Sequence, residues 1–266
     1  MAKIVACAQF APVPGDVEEN LRTIERLTAE AEGVDLVVFP ELATTGYLSA
    51  EWMSELAETV PGKMFDELAA IARDHARALA VGWPELDLQD GTRHNSFLVI
   101  DETGRLVLRY RKSHLWHGES AWATPGSAFH ATVCNGVVCG AWVCYDTRFP
   151  EVARLVALAG AQVGLVGSAW LGPPEEWELA LRARALDNNI YVAAAAMQGT
   201  TGGGEPLYGG SLIVGPSGEV LARAEEGPET FISAVVDTAE INARRERLPL
   251  FVDRRPDLYD GLTWGR

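Results

Sequence analysis

Three residues with complementary chemistry, Glu41, Lys112 and Cys144, each follow a short apolar run that predicts a buried strand. A carboxylate can act as a base, an ammonium can stabilise negative charge on oxygen, and a thiol can act as a nucleophile. Together these groups are the parts that acyl transfer through a covalent intermediate requires. Because ligand sites in α/β proteins collect at the carboxyl ends of strands, folding would bring the three groups together.

Each of these residues, taken singly, has a more ordinary explanation. A cysteine after an apolar strand is usually a small core residue. A glutamate after a proline is more often a surface or capping residue, and a lysine at a strand end is ordinarily solvated. Cys144 also precedes a helix predicted to begin near Phe149, and helix N-termini favour a thiolate or an oxyanion. The three residues together therefore indicate a site for acyl transfer, although none does so alone.

The elements that must position these residues follow from the spacing of apolar residues. Strands alternate with helices in the first part of the chain and again after residue 137, and hairpins connect or follow these units. Such a mixture predicts an α/β protein with helices outside a pair of buried sheets. The tail from about Glu240, rich in arginine and proline, is predicted to be irregular. The predicted strands span residues 3–10, 35–40, 78–82, 94–101, 105–111, 137–143, 163–166, 191–196, 207–214, 219–224 and 231–236, and the predicted helices span 17–31, 65–76, 149–159 and 175–188.

The composition predicts one soluble domain over residues 1–266. Hydrophobic residues make up 48% of the chain and charged residues 22%, as in an ordinary globular protein. The formal net charge of -15 disfavours nucleic acid and anionic membrane as partners. The chain has no apolar run long enough to cross a membrane and no signal peptide at its start, so we expect it to be cytoplasmic.

The cysteines give no evidence of a metal site or a disulfide framework. Four are present, at positions 7, 134, 139 and 144. In a chain without a secretory signal we expect reduced thiols. Their spacing lacks the close pairs and neighbouring histidines of zinc sites, and we expect neither a metal nor another cofactor.

Three motifs contain the candidate residues, and they occur in a characteristic order. These motifs are Phe39-Pro40-Glu41-Leu42 with Thr45-Gly46-Tyr47, Tyr110-Arg111-Lys112-Ser113-His114-Leu115, and Val143-Cys144-Tyr145-Asp146-Thr147-Arg148-Phe149-Pro150-Glu151. With them the chain strongly resembles the nitrilase superfamily of carbon-nitrogen hydrolases. Further matches at residues 167–170, 182–189 and 253–259 extend the resemblance over nearly the whole sequence.

The resemblance implies a fold, a set of catalytic residues and an assembly. The implied fold is a four-layer αββα sandwich, and the family's glutamate-lysine-cysteine triad corresponds to Glu41, Lys112 and Cys144. A second active-site glutamate is implied after the lysine motif, where Glu119 is the best candidate. Members of the superfamily usually pair through helices beside the nucleophile, so we expect a homodimer or a higher even assembly, with the tail from about residue 240 at the interface.

The resemblance also implies a mechanism of amide hydrolysis. Glu41 would accept the thiol proton of Cys144, and the thiolate would attack the amide carbon and form a thioester with release of ammonia. The Lys112 ammonium and the backbone N–H of Tyr145 would stabilise the tetrahedral oxyanion. Glu41 would then activate a water molecule, while Glu119 orients the substrate or Lys112.

The residues around the nucleophile bear on the choice of substrate. The sequence Tyr145-Asp146-Thr147-Arg148 resembles amidase branches of the superfamily and differs from true nitrilases, which disfavours a nitrile substrate. Four aromatic residues in or next to the motifs would form the walls of a small apolar pocket, with core packing as the alternative. A small aliphatic carboxamide is therefore the predicted substrate. The four aromatic residues are Tyr47, Trp116, Trp142 and Trp170.

The same residues are compatible with three other functions. An ω-amidase, which acts on a carboxylate-bearing amide, is the second hypothesis. N-carbamoyl hydrolases usually place basic residues soon after the cysteine, and Arg148 alone does not establish that activity. A scaffold protein that keeps the fold without turnover is disfavoured, because all three triad residues are present.

Overall fold

The computed structural model describes residues 2–263, so Met1 and residues 264–266 of the predicted domain lie outside the described residues. Two six-stranded sheets form the centre of the molecule. The strands are β1 Ala2–Gln9, β2 Leu36–Val38, β3 Ala78–Leu86, β4 Arg93–Ile100, β5 Leu106–Arg111, β6 Ala131–Cys134, β7 Val137–Val143, β8 Val163–Ser168, β9 Tyr191–Ala196, β10 Gln198–Thr200, β11 Pro206–Tyr208, β12 Leu212–Val214, β13 Val220–Arg223 and β14 Thr230–Asp237. The helices are α1 Val17–Glu30, α2 Ala50–Leu56, α3 Lys63–His75, α4 Pro150–Leu158, α5 Pro174–Asn188 and α6 Thr238–Arg247, and 3₁₀ turns span His117–Ala121, Cys144–Arg148, Pro256–Leu258 and Asp260–Thr263.

The first sheet has the strand order β14-β1-β2-β3-β4-β5 and carries α1 and α3 on its outer face. Asp16 begins α1 by accepting a hydrogen bond from the backbone of Glu19 at 3.1 Å, the usual role of an aspartate N-cap. The apolar side of this helix, with Ile24 at its centre, packs with Leu68 of α3 and Val37 of β2 in one cluster. The parallel pairing of β1, β2 and β3 follows from these helical connections.

The second sheet has the order β13-β12-β9-β8-β7-β6 and is covered by α4 and α5. Both helices start with a proline, Pro150 and Pro174, at the first turn, where the missing N–H costs no helical hydrogen bond. Val156 of α4 and Leu181 of α5 are fully buried in the same apolar cluster as the sheet. The central strands β7, β8 and β9 run parallel.

The inner faces of the two sheets share one apolar cluster. The first sheet contributes Val38, Ala80 and Phe97 to it, and the second contributes Leu165 and Ala193. All five side chains are excluded from solvent. The order of layers is therefore helices, sheet, sheet, helices, which confirms the predicted αββα sandwich.

The C-terminal region differs from the sequence prediction. The tail was expected to be irregular from about residue 240, but residues Thr238–Arg247 form α6. Asp237 caps this helix by accepting from Ala239 N at 3.0 Å, Ile241 is fully buried, and three arginines occupy the last turn, where they complement the helix dipole. An irregular tail with two 3₁₀ turns begins only after this helix.

Several smaller elements were not predicted. Helix α2 and strands β6 and β10 have no counterpart in the sequence assignment. The predicted strand 207–214 is divided into β11 and β12 by Gly209 and Gly210, which both have positive φ. Within residues 2–263, no helix combines the length and apolar character that a membrane crossing requires.

Candidate active site

Glu41 lies beyond the end of β2, at a place where the two sheets approach each other closely. A Cβ atom at Gly82 of β3 would lie 2.2 Å from the backbone N of Leu42, and one at Gly167 of β8 would lie 2.7 Å from the backbone N of Glu41. Both positions therefore require glycine, one from each sheet. The Glu41 side chain is fully buried, and its Oε2 accepts a hydrogen bond from the Ala169 N–H at 2.8 Å.

Cys144 lies at the turn between β7 and α4, as the sequence predicted. Its φ of 45° is in the left-handed region that non-glycine residues seldom adopt, a feature that recurs at functional sites. The side chain is buried, and Sγ lies 3.8 Å from the carbonyl oxygen of Ala169. Ala169 thus contacts both the Glu41 carboxylate and the sulfur of Cys144.

Lys112 follows β5 and is paired with two carboxylates in the interior. Its Nζ donates to Oε1 of Glu41 and to Oε1 of Glu119, both at 2.8 Å, and the three side chains are essentially inaccessible to solvent. The Glu119 carboxylate also accepts from the backbone N–H of Trp116 at 2.7 Å and from the Tyr47 hydroxyl at 3.1 Å. The structure thus places Glu119 in the same cluster as Glu41 and Lys112.

Asn95 is a member of this cluster that the sequence did not single out. Its side-chain amide donates to Oε1 of Glu41 at 2.7 Å and to Oε1 of Glu119 at 3.0 Å. The only signal in the sequence is a run of three polar residues, His94, Asn95 and Ser96, inside a predicted strand, and all three are buried.

Asp146 connects the turn of Cys144 to the segment that follows Lys112. Its carboxylate accepts from the Tyr110 hydroxyl at 2.7 Å, from the Ser113 hydroxyl at 2.9 Å and from the Val143 N–H at 3.1 Å. The carboxylate is fully buried. The hydrogen bonds of Asp146 therefore connect the lysine motif to the cysteine motif. This connection is additional to the strand pairing and helix packing of the fold.

The electrostatics of the cluster determine the protonation states at rest. Burial raises the pKa of the Cys144 thiol far above its ordinary value, and the Glu41 carboxylate raises it further, while the Lys112 ammonium opposes the shift only in part. Burial alone would lower the pKa of Lys112, but Glu41 and Glu119 outweigh it and hold that pKa well above the usual range. The resting state is therefore a thiol beside an ammonium.

Glu119 titrates under three competing influences. Burial raises the pKa of its carboxyl group, the Lys112 ammonium lowers it, and the Glu41 carboxylate raises it again. The net direction is upward. Like charges in the pair of carboxylates thus add to the cost of ionising Glu119 in this interior.

A small pocket opens onto Cys144. Its lining is mostly apolar and aromatic, which favours a small ligand with few polar groups. Arg148 adds a positive charge to this wall. The residues that line the pocket are Tyr47, Trp116, Cys144, Tyr145, Arg148, Ala169, Trp170, Leu171 and Gly172.

Three of the four predicted aromatic residues line the pocket, and Trp142 does not. Its side chain has no solvent exposure and packs within the core between the layers. Its indole N–H donates to the Thr147 hydroxyl at 3.1 Å, which satisfies the polar end of the ring inside the protein. The prediction that Trp142 forms a pocket wall is therefore corrected to core packing.

Arg148 is held against the pocket by two interactions. Its guanidinium lies 4.7 Å from the centre of the Trp170 ring, a cation–π distance, and its Nη2 donates to Glu176 Oε2 at 2.6 Å. The Arg148 side chain is 37% exposed, whereas Cys144 is buried, so the arginine lies on the solvent side of the pocket. In the sequence, this residue was only a weak sign of N-carbamoyl hydrolase activity.

Comparison with known proteins agrees with this geometry. The sequence model of the family described as carbon-nitrogen hydrolase matches residues 4–246. A probable nitrilase of Schizosaccharomyces pombe is 35% identical, with 97% of each chain covered. An omega-amidase of Xenopus tropicalis is 34% identical over 97% of this chain and 98% of its own.

A solved structure gives the same result for the fold. A Saccharomyces cerevisiae protein, described as a member of branch 10 of the nitrilase superfamily, superposes with a TM-score of 0.86 at 30% identity. The match covers 96% of this chain and 97% of the yeast chain. The family match, the similar relatives and the shared fold together show that the chain belongs to the carbon-nitrogen hydrolase family, within the nitrilase superfamily.

Proposed function

We propose that this carbon-nitrogen hydrolase cleaves the amide bond of a small carboxamide through a thioester on Cys144. The observation that supports this proposal most strongly is the buried cluster in which Lys112 bridges Glu41 and Glu119 beside the cysteine. A buried ion pair is seldom more stabilising than well-packed apolar side chains of similar volume, so its presence in an interior points to a role other than stability. Beside a nucleophile the ammonium supplies the charge that acyl transfer requires.

The first half of the reaction begins with proton transfer from Cys144 to Glu41. The raised pKa of the thiol means that a base must take the proton as the sulfur attacks. The sulfur forms a bond to the amide carbon, and the carbonyl oxygen becomes an oxyanion. The proton held by Glu41 then passes to the nitrogen, which leaves as ammonia.

Two donors are available for the oxyanion. The Lys112 ammonium has three protons, and Glu41 and Glu119 accept two of them, which leaves one proton for the substrate. The backbone N–H of Tyr145 lies in the first turn after Cys144, where N–H groups have no partner within the turn. Glu41 subsequently activates a water molecule, which hydrolyses the thioester.

We further propose that the substrate carries a carboxylate on its acyl part. Arg148 supplies a positive charge to a pocket that is otherwise largely apolar, and guanidinium groups bind carboxylates in a planar, two-point geometry. The omega-amidase name of the Xenopus relative points in the same direction. In this proposal Arg148 exchanges part of its contact with Glu176 for the substrate.

A small aliphatic carboxamide is the second candidate substrate. The aromatic walls formed by Tyr47, Trp116 and Trp170 favour it, since an uncharged acyl chain would fill such a pocket without a charged partner. In this case Arg148 stays with Glu176 and takes no part in binding. The two candidates therefore differ in what they require of Arg148.

An ammonia-release assay tests the reaction. The panel contains short aliphatic amides, an α-keto ω-amide, an N-carbamoyl amino acid and a nitrile. Brief exposure to a substrate should add the mass of the acyl group to the intact protein, and Cys144→Ala should abolish both turnover and the adduct. Cys139→Ala, which removes another buried cysteine from β7, is the matched control and should retain both. Turnover of the nitrile alone would overturn the proposal.

A further inference from the structure

Asn95 is positioned beside Lys112 by its own backbone. The carbonyl oxygen of Asn95 accepts the Lys112 N–H at 2.8 Å, next to the pairing of β4 with β5. Ser96, the next residue of β4, directs its hydroxyl to a different carboxylate, Glu85, at 2.6 Å. The strand therefore sends one buried polar side chain into the catalytic cluster and the next one away from it.

The hydrogen bonds of Glu41 are distributed unequally between its two oxygens. Oε1 accepts from Lys112 at 2.8 Å and from Asn95 at 2.7 Å. Oε2 accepts from the Ala169 N–H at 2.8 Å. A carboxylate oxygen has about two lone-pair sites, so Oε1 has a donor for each, whereas Oε2 has a donor for only one within the described part of the chain.

Oε2 of Glu41 and the sulfur of Cys144 share Ala169 as a neighbour. Ala169 donates its N–H to Oε2, and the carbonyl oxygen of the same residue is 3.8 Å from the sulfur of Cys144. Oε2 and the sulfur are therefore both adjacent to one residue. Oε1 faces Lys112 and Asn95 instead.

We propose that Asn95 is a positioning residue that directs proton transfer to one oxygen of Glu41. By filling the second acceptor site of Oε1, it leaves Oε2 as the atom that receives the proton. In this step the S–H bond of Cys144 breaks, an O–H bond forms at Oε2, and the electron pair remains on sulfur for the attack on the amide carbon. This inference rests on the proposed function of the site.

The same side chain also holds Glu119 in place. Oε1 of Glu119 accepts from the Asn95 amide as well as from Lys112. The orientation of the amide follows from charge, because the opposite orientation would direct Oδ1 at two carboxylates. The neutral Asn95 amide thus donates to both carboxylates and reduces the repulsion between Glu41 and Glu119 without adding a positive charge.

The test compares Asn95→Leu and Asn95→Asp with the matched control Ser96→Ala. The control removes a buried polar group from the same strand and breaks a hydrogen bond to Glu85, which lies outside the cluster. The readout is the pH dependence of Cys144 alkylation by iodoacetamide, measured by mass, together with kcat and KM for the best amide. The titratable groups that face Asn95 or its partners are Glu41, Tyr47, Lys112, Glu119 and Cys144.

Asn95→Leu should reduce kcat and the neutral-pH alkylation rate by about 10- to 100-fold, the effect of losing a hydrogen bond to a charged group. KM should change little. The acidic limb of the alkylation profile should move to higher pH, because carboxylates that lose a donor retain their protons longer. Asn95→Asp should be at least as impaired, although it preserves the shape of the side chain.

Two results would overturn the inference. One is an Asn95→Leu protein with the wild-type alkylation profile, and the other is an Asn95→Asp protein as active as Ser96→Ala, which would assign Asn95 a role in packing alone. Failure of the proposed function looks different, since the wild type itself would then neither release ammonia nor react at Cys144. Thermal unfolding of all three variants identifies losses that are due to stability.

Discussion

Lys112 and Glu41 form a 2.8 Å ion pair in which neither side chain has any solvent exposure. The pair joins the end of β5 to the segment after β2, and Glu119 adds a second carboxylate to the same ammonium. Two carboxylates against one ammonium leave a net negative charge, in keeping with the raised pKa values of Cys144 and Lys112. The site thus keeps its nucleophile protonated until a base removes the proton.

Replacement of Lys112 by methionine should impair both stability and activity. Glu41 and Glu119 would remain buried without their cation, which should lower the free energy of unfolding by about 3–5 kcal/mol. Loss of an oxyanion donor should reduce kcat by about 10²–10³-fold or more. Urea denaturation and the ammonia assay measure the two effects.

A double variant and a surface control separate these effects. Lys112→Met combined with Glu119→Gln removes one of the stranded carboxylates, so it should regain stability without regaining activity. Lys63→Met, at a lysine whose side chain is 77% exposed, should leave both quantities unchanged. A double variant no more stable than Lys112→Met would argue against charge repulsion as the cause.

The buried thiol predicts a loss of stability at alkaline pH. The pKa of Cys144 is raised in the folded protein above its ordinary value of 9.0, so the unfolded state releases the proton first. Its contribution to stability is complete below pH 9 and declines above it, by about 1.4 kcal/mol per pH unit. Cys144→Ser lacks this titration and should lose less stability than the wild type between pH 9 and pH 10.

Urea unfolding at pH 8, 9 and 10 gives the comparison. The other buried cysteines remain in both proteins, so their contributions cancel in the difference. If the free energy of unfolding declines equally in the wild type and in Cys144→Ser over this pH range, the Cys144 thiol does not cause the alkaline loss of stability.

The sequence predicted the residues that motifs mark, and it missed those that only three-dimensional contacts define. Glu41, Lys112 and Cys144 stand at strand ends in recognisable motifs, and strand ends can be located from apolar runs. Asn95 lies inside a strand, where no rule of spacing marks a catalytic neighbour. Its burial depends on which face of β4 meets the ends of β2 and β5, and this follows from register and sheet packing.

The error at Trp142 has a similar origin. An aromatic residue two positions before the nucleophile is close to the site along the chain, but its side chain packs in the core and donates to Thr147. Sequence distance does not determine the direction of a side chain at a turn with positive φ such as that of Cys144. Apolar patterns predicted a layered α/β protein with helices outside a pair of sheets, and the resemblance to the nitrilase superfamily implied the four-layer αββα order.

Arg148 should determine whether the enzyme prefers a carboxylate-bearing amide. Arg148→Gln should raise KM for an α-keto ω-amide by about 10- to 100-fold through loss of a charge-assisted hydrogen bond. KM for a neutral aliphatic amide should stay the same. Glu176→Gln, which releases the arginine from its 2.6 Å partner, should lower KM for the charged substrate. Equal effects of Arg148→Gln on both substrates would indicate a structural role for the arginine.

We also propose that the chain forms a homodimer through α4 and α5. These helices expose four leucines on the outside of the second sheet, and such an apolar surface is typical of an interface. The irregular tail after α6 exposes further apolar side chains, among them Val252 and Leu262. The four leucines are Leu155, Leu158, Leu179 and Leu186, with exposed fractions of 45%, 40%, 69% and 45%.

Light scattering should therefore give a mass near twice 28.7 kDa or a higher even multiple. Leu179→Glu combined with Leu186→Glu places two charges on the proposed interface and should shift the protein to monomer, because a desolvated, unpaired charge is costly. Leu88→Glu is the control, since Leu88 is 76% exposed in the turn between β3 and β4 and belongs to neither helix. If the double variant keeps the mass of the wild type, assembly does not use this surface, because two buried carboxylates would not be tolerated there.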